Sequence, residues 1–150
     1  MKKDDNWLPS EKDIENYQLL KDMLQAQRQE FDLLSKKKAD GQLNPMKIKM
    51  VNRVLEPLNK LFKHEPSHDF LDKISEDEIP TNSDVVLIIS QYETAIEEFK
   101  KKYHRKDGHK SSYLNNVYRW MTKEYPPDFY EGEDVESEYE EDDEDTEIPE

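Results

Sequence analysis

Ile14, Tyr17, Leu20, Leu24, Phe31 and Leu34 recur at spacings of three, four or seven residues, interrupted only by Gln27. That spacing puts them on one side of a helix and draws an apolar stripe about six turns long. Such a stripe has to be buried against another helix, so the first third of the chain already constrains the fold toward helix-on-helix packing. Ser10 is a candidate N-cap, with Glu11 and Asp13 in the first turn, where the helix dipole favours acids. Lys36, Lys37 and Lys38 suit the carbonyl end, and Asp40-Gly41 supplies a stop.

Asn44-Pro45 is a cap followed by proline at the first helical position, which predicts a second helix with Ile48, Val51, Leu55, Leu58 and Phe62 on its apolar side. Pro57 interrupts that stripe and removes an intrahelical hydrogen bond at a cost of about 3 kcal/mol, so a bend or break is expected between residues 54 and 57. The short connection between the two helices predicts an antiparallel hairpin. Residues 64–80 are polar, with apolar islands at Phe70-Leu71, Ile74 and Ile79, and leave room for one short helical turn. Thr81 with Asp84 resembles a capping box, and Asn82 and Ser83 compete for the cap.

Val85-Val86-Leu87-Ile88-Ile89 alone reads equally as a buried strand, but Tyr92, Ala95, Ile96, Phe99 and Tyr103 continue it at helical spacing. A third helix follows, and its all-round apolar start predicts a central position. Asp107-Gly108 ends it. Residues 110–124 carry Tyr113, Leu114, Val117, Tyr118 and Met121 before Pro126-Pro127, and are read as a fourth helix that holds Arg119 and Trp120. The aromatics Trp7, Tyr125, Phe129 and Tyr130 lie outside these stripes, either as clasps over the bundle ends or as parts of an exposed docking peptide. The expected fold is therefore mainly α: an N-terminal arm at 1–9, a small bundle of about four helices at 10–130, and an acidic C-terminal tail at 131–150.

The tail holds 13 carboxylates and no Lys or Arg, leaving 23 acids against 22 bases in residues 1–130. The net charge of −14 thus belongs to the tail. With only Val135, Tyr139 and Ile148 as apolar residues, the tail buries too little to offset its ordering entropy and is expected to be disordered. No apolar run approaches the roughly 20 residues needed to cross a bilayer, and Met1-Lys2-Lys3-Asp4-Asp5 reaches acids before any apolar stretch. Neither a membrane span nor a signal peptide is expected. The lack of cysteine excludes disulfides and thiolate metal sites and fits a cytoplasmic, reducing location. Three widely separated glycines exclude the Gly-rich phosphate loops.

His64-Glu65-Pro66-Ser67-His68 matches the H-E-x-x-H zinc pattern in letters only. That pattern needs one continuous helix, and Pro66 disfavours helical geometry at Glu65 while giving the turn no amide proton. No metal and no cofactor are expected. No nucleophile stands beside a base, and the many carboxylates fall on hydrophilic faces, so no catalytic residue is assigned and a non-enzymatic role is expected.

Two segments remain as candidate binding sites. Residues 100–110 bring together Lys100, Lys101, Lys102, Arg105, Lys106 and Lys110, with Tyr103, Tyr113, Arg119 and Trp120 nearby in sequence. Such a run is either a solvated face favoured at a helix C-terminus or a phosphate-contacting patch. In the tail, Tyr139, Glu140, Glu141, Asp142 and Asp143 form an acidic string with one aromatic anchor, suited to a basic protein partner. The leading expectation is a regulatory or adaptor-like protein–protein interaction module whose tail meets a basic partner. The alternative is a nucleic-acid-associated protein that uses the 100–110 segment and is autoinhibited by the tail. The long stripe pairs either within the chain or with a second copy in a homodimer, where Gln27 would set the register.

Overall fold

The computed structural model describes residues 6–107 and 117–127. Among them the chain is mainly helical. Helix α1 spans Glu11–Lys37, α2 Pro45–Leu61 and α3 Asn82–Tyr103, with 3-10 turns at Pro66–Phe70 and Glu76–Glu78 and short strands β1 (His104–Lys106) and β2 (Tyr118–Trp120). The backbone divides into two compact units: residues 6–7 with 12–102, and residues 8–11 with 103–107 and 117–127. The acidic tail, Lys110, Phe129 and Tyr130 lie outside the described residues.

In the helical unit, the expected stripe of α1 is the buried one: Ile14, Tyr17, Leu20, Leu24 and Phe31 all point into the core. Helix α2 buries Ile48, Val51, Val54, Leu55, Leu58 and Leu61. Helix α3 adds Val85, Ile89, Tyr92, Ala95, Ile96 and Phe99. Burying each large apolar side chain contributes about 1.5–3 kcal/mol relative to exposure, so these rows dominate the unit's stability. Direction follows from named contacts. Tyr17 meets Ile96 and Phe99, while Arg28 reaches Ser90 and Glu93, so α1 runs antiparallel to α3. Asn59 meets Tyr92 and Phe62 meets Phe99, so α2 and α3 run parallel.

The helix ends match the local chemistry. Asn44 accepts from the Lys47 amide at 2.8 Å, with Pro45 opening α2. Thr81 and Asp84 form the reciprocal box: the Thr81 amide donates to Asp84 Oδ2 at 2.9 Å, and the Asp84 amide to Thr81 Oγ1 at 3.2 Å. Thr81 therefore takes the cap, not Ser83 or Asn82. The Asn82 side chain instead donates to the Lys38 carbonyl at the end of α1. A Cβ on Gly41 would lie 2.9 Å from Asn82 Nδ2 and 3.2 Å from that same carbonyl, so this close crossing requires glycine.

Three expectations are corrected. Helix α2 runs unbroken through Pro57. Both Pro57 and Arg53, whose carbonyl loses its helical donor, are on the exposed side, where water can take the bond. Helix α3 is not surrounded: Leu87 is 66% exposed, because three helices around one core leave each an outer side. Finally, the expected fourth helix over 110–124 is absent where the chain is described. Tyr118–Trp120 is a strand, antiparallel to His104–Lys106, with His104 opposite Trp120, Arg105 opposite Arg119 and Lys106 opposite Tyr118. The Val117-Tyr118-Arg119-Trp120 run favours extended backbone, and its amides and carbonyls find partners in the chain leaving α3.

Candidate functional site

The described cations of the basic run have different surroundings. Lys100 and Lys101 are exposed on the last turn of α3, and Lys101 pairs loosely with Glu98. Lys102 is committed to Glu65, whose buried carboxylate lies 3.4 Å away. Arg105 and Lys106 are exposed on β1. Arg119 is structural: its Nε donates to the buried Asp107 at 2.8 Å, and its remaining nitrogens donate to the carbonyls of Trp120, Tyr125 and Pro126. A guanidinium that holds one carboxylate and three carbonyls has little left for a phosphate. Lys110, Tyr139, Glu140, Glu141, Asp142 and Asp143 lie outside the described residues.

The H-E-x-x-H letters are dispersed as the proline argument requires. Pro66 opens a 3-10 turn with Glu65 at its N-cap position. His64 stacks on Trp7 at 4.6 Å, and His68 Nε2 lies 3.0 Å from Asn59 Oδ1. Among the described residues, no three His, Asp or Glu side chains converge as a metal site would need.

The helical unit displays a feature that the sequence reading passed over. Leu19, Met23, Ala26, Glu30 and Leu33 follow each other at spacings of four and three on the side of α1 away from its buried row. On α2, Met46, Met50, Arg53, Pro57 and Lys60 repeat that spacing. The two rows adjoin. Leu19 and Leu20, with Asp13 and Asn16, line one groove with Pro57, Lys60 and Leu61, and Gln27 donates across to the Met50 carbonyl at 3.1 Å. Helices α1 and α2 are therefore antiparallel, as their short connection predicts. Met46 is 71% exposed, Leu19 60%, Leu33 58% and Met50 54%. Single exposed apolar residues are ordinary, but a two-helix row of them is the signature of a contact surface. Unbranched methionines adapt such a surface to differently shaped partners. The available signal was a second stripe of the same period, out of phase with the first.

In the smaller unit, strand alternation separates two faces. Arg105, Asp107 and Arg119 share one, closed by the Asp107–Arg119 ion pair. His104, Lys106, Tyr118 and Trp120 share the other. There the His104 ring stacks on Tyr118 at 6.0 Å and tilts against Trp120 at 4.9 Å. The ladder extends through the Met121 amide to the Tyr103 carbonyl and the Asp107 amide to the Val117 carbonyl, both 2.7 Å. Residues 8–11 join this unit through polar bonds: Lys123 to the Pro9 carbonyl, Thr122 to Glu11, and the Glu11 amide to Glu124.

The core tyrosines Tyr17 and Tyr92 are clearly shifted. Burial, aided by the negative charge of Glu97, pushes the Tyr17 phenol up to about 12. Burial also raises Tyr92, with Asp72 and Glu56 adding to it and the Asn59 hydrogen bond opposing it. Each hydroxyl donates to a backbone carbonyl, Ile96 and Asp72 respectively, so they serve as packed hydrogen-bonded aromatics. Among the described residues, no helix is long and apolar enough to cross a membrane. The chain matches no protein-family model, no curated protein and no solved structure.

Proposed function

We propose that this chain is a non-enzymatic protein–protein interaction module that combines a preformed apolar helix face with an acidic, basic-partner-seeking tail. The observation that supports it is the exposed set of Leu19, Met23, Leu33, Met46, Met50 and Pro57 on the outer sides of α1 and α2, interspersed with Glu30, Arg53 and Lys60. Keeping that much apolar side chain in water lowers solubility without contributing to the fold, and docking recovers the free energy. Arg53 and Lys60 lie within the α2 row and Lys47 beside it, and the helix has no acid in its first turn. The partner segment on this face is accordingly apolar with acidic flanks. The tail, with 13 carboxylates around Tyr139, supplies long-range attraction for a basic region of the same partner and accelerates encounter more than it tightens the complex.

The test is affinity purification from the native host with the full-length chain and a chain ending at residue 130. The proposal predicts a basic protein that co-purifies with the full chain, weakens on tail removal with a strong salt dependence, and is lost when Met50→Glu is introduced. A partner indifferent to both changes contradicts it.

A further inference from the structure

We propose that the hairpin face carrying His104, Lys106, Tyr118 and Trp120 is a binding site for single-stranded nucleic acid, with bases stacking on the aromatic row and Lys106 holding the phosphate backbone. This is independent of the helix-face reading and rests on other residues.

The antiparallel register sets the geometry. Lys106 sits directly across from Tyr118, and His104 directly across from Trp120, so a cation and three rings occupy one face within two residues of each strand. His104 lies close to both other rings, at 4.9 and 6.0 Å, which makes a row and not an isolated aromatic. Tyr118 is 54% exposed, although a large ring gains most from burial, while His104 and Trp120 are half-buried. Every base has a π-face, and stacking on exposed aromatics beside a cation is the common way proteins hold single strands without reading sequence.

The charge on this face has one sign. Asp107, the nearest acid in the ladder, points to the opposite face, is buried and is neutralised by Arg119. Glu11 and Glu124 are engaged with Thr122 and with the Glu11 amide. Lys106 therefore meets a phosphate without a competing carboxylate among the described residues of the face. A duplex hides its base faces and would gain only the cation, so the site selects single strands. The chain's net charge of −14 weakens long-range attraction but leaves short-range stacking in place.

The hairpin also accounts for why the basic run 100–110 is a poor description of the site. Lys102 is committed to Glu65 and Arg119 to Asp107, while Tyr118 and Trp120, outside the run, are set opposite Lys106 and His104 by strand pairing.

The test uses the full-length chain with Trp7→Phe, which leaves Trp120 as the only tryptophan. Oligothymidylate or oligouridylate of about 12 nucleotides, and a DNA duplex of equal phosphate number, are titrated at about 20 mM salt. The single strands should quench Trp120 and bind at least about fivefold tighter than the duplex. Tyr118→Ala should weaken binding by about fivefold or more, with Tyr118→Phe restoring it, because stacking needs the ring and not the hydroxyl. Lys106→Gln should lower the salt slope by about one phosphate contact without unfolding the hairpin. Absence of quenching, equal affinity for the duplex, or an unchanged salt slope in Lys106→Gln would overturn the proposal.

Discussion

The helical unit and the hairpin unit are held by different means. In the first, Tyr17, Phe62, Tyr92 and Phe99 and the aliphatic rows around them are almost entirely removed from water, and hydrogen bonds at helix ends and between elements add to that burial. In the second, three-residue strands are fixed by one arginine that bridges a carboxylate and three carbonyls, and by polar bonds through Thr122, Glu11 and Glu124. Burial of apolar area is additive and tolerant of small changes, whereas an ionic clamp fails when a single group is removed. The difference teaches that the two units should respond to separate mutations.

The largest expected effect is on the helical core. Phe99→Ala removes a fully buried ring that touches Tyr17 and Phe62, and should cost about 3–5 kcal/mol in urea unfolding followed by far-ultraviolet dichroism. Arg119→Ala is the matching cut in the hairpin. It leaves Asp107 buried without its cation and should destabilise the hairpin by about 3 kcal/mol, read as loss of amide protection at residues 104–106 and 118–120 while α1 to α3 stay protected. Arg119→Lys should rescue poorly, since an ammonium lacks the planar fork that serves four acceptors. If either substitution unfolds both units together, the separation is wrong.

Smaller effects sharpen the contrast. Thr81→Ala removes one half of the capping box and should cost about 1 kcal/mol, confined to the helical unit. Ile79 is the one described non-glycine residue with positive φ, at 49°, a conformation that a β-branched side chain resists. Ile79→Gly should therefore stabilise the helical unit by about 0.5 kcal/mol despite the entropy that glycine loses. Alkaline titration separates the units again. With the Tyr17 phenol raised from 10.0 to about 12, the unfolded chain loses its proton first, so stability is full below pH 10 and falls as pH rises toward 12. Tyr92 acts in the same direction. The last fraction of tyrosinate absorbance should rise together with loss of helix, and Tyr17→Phe should shift that transition to higher pH.

The same contrast decides what could be read from the residues alone. The α1 stripe, the Asn44-Pro45 start and the Thr81–Asp84 box were legible because period and caps are local properties. The hairpin was not, because Tyr113 to Met121 also satisfy a helical spacing, and what favours the strand at 118–120 is a non-local ladder to residues 103–107. Arg119 likewise looks like one more free cation until Asp107 and the carbonyls of Tyr125 and Pro126 surround it. The exposed α1–α2 row was written in the sequence as a second period. Its adjacency depends on the antiparallel pairing of two helices, which sets Leu19 beside Pro57.

We propose that this outer row serves recognition and not folding. The direct measurement is the double substitution Leu19→Asp with Met50→Asp in the full-length chain, assayed in parallel for thermal stability and for co-purifying proteins. The account predicts an unchanged or slightly higher Tm, because both side chains are more than half exposed, together with loss of the basic partner. A chain that unfolds, or one that folds normally and keeps every partner, would contradict it.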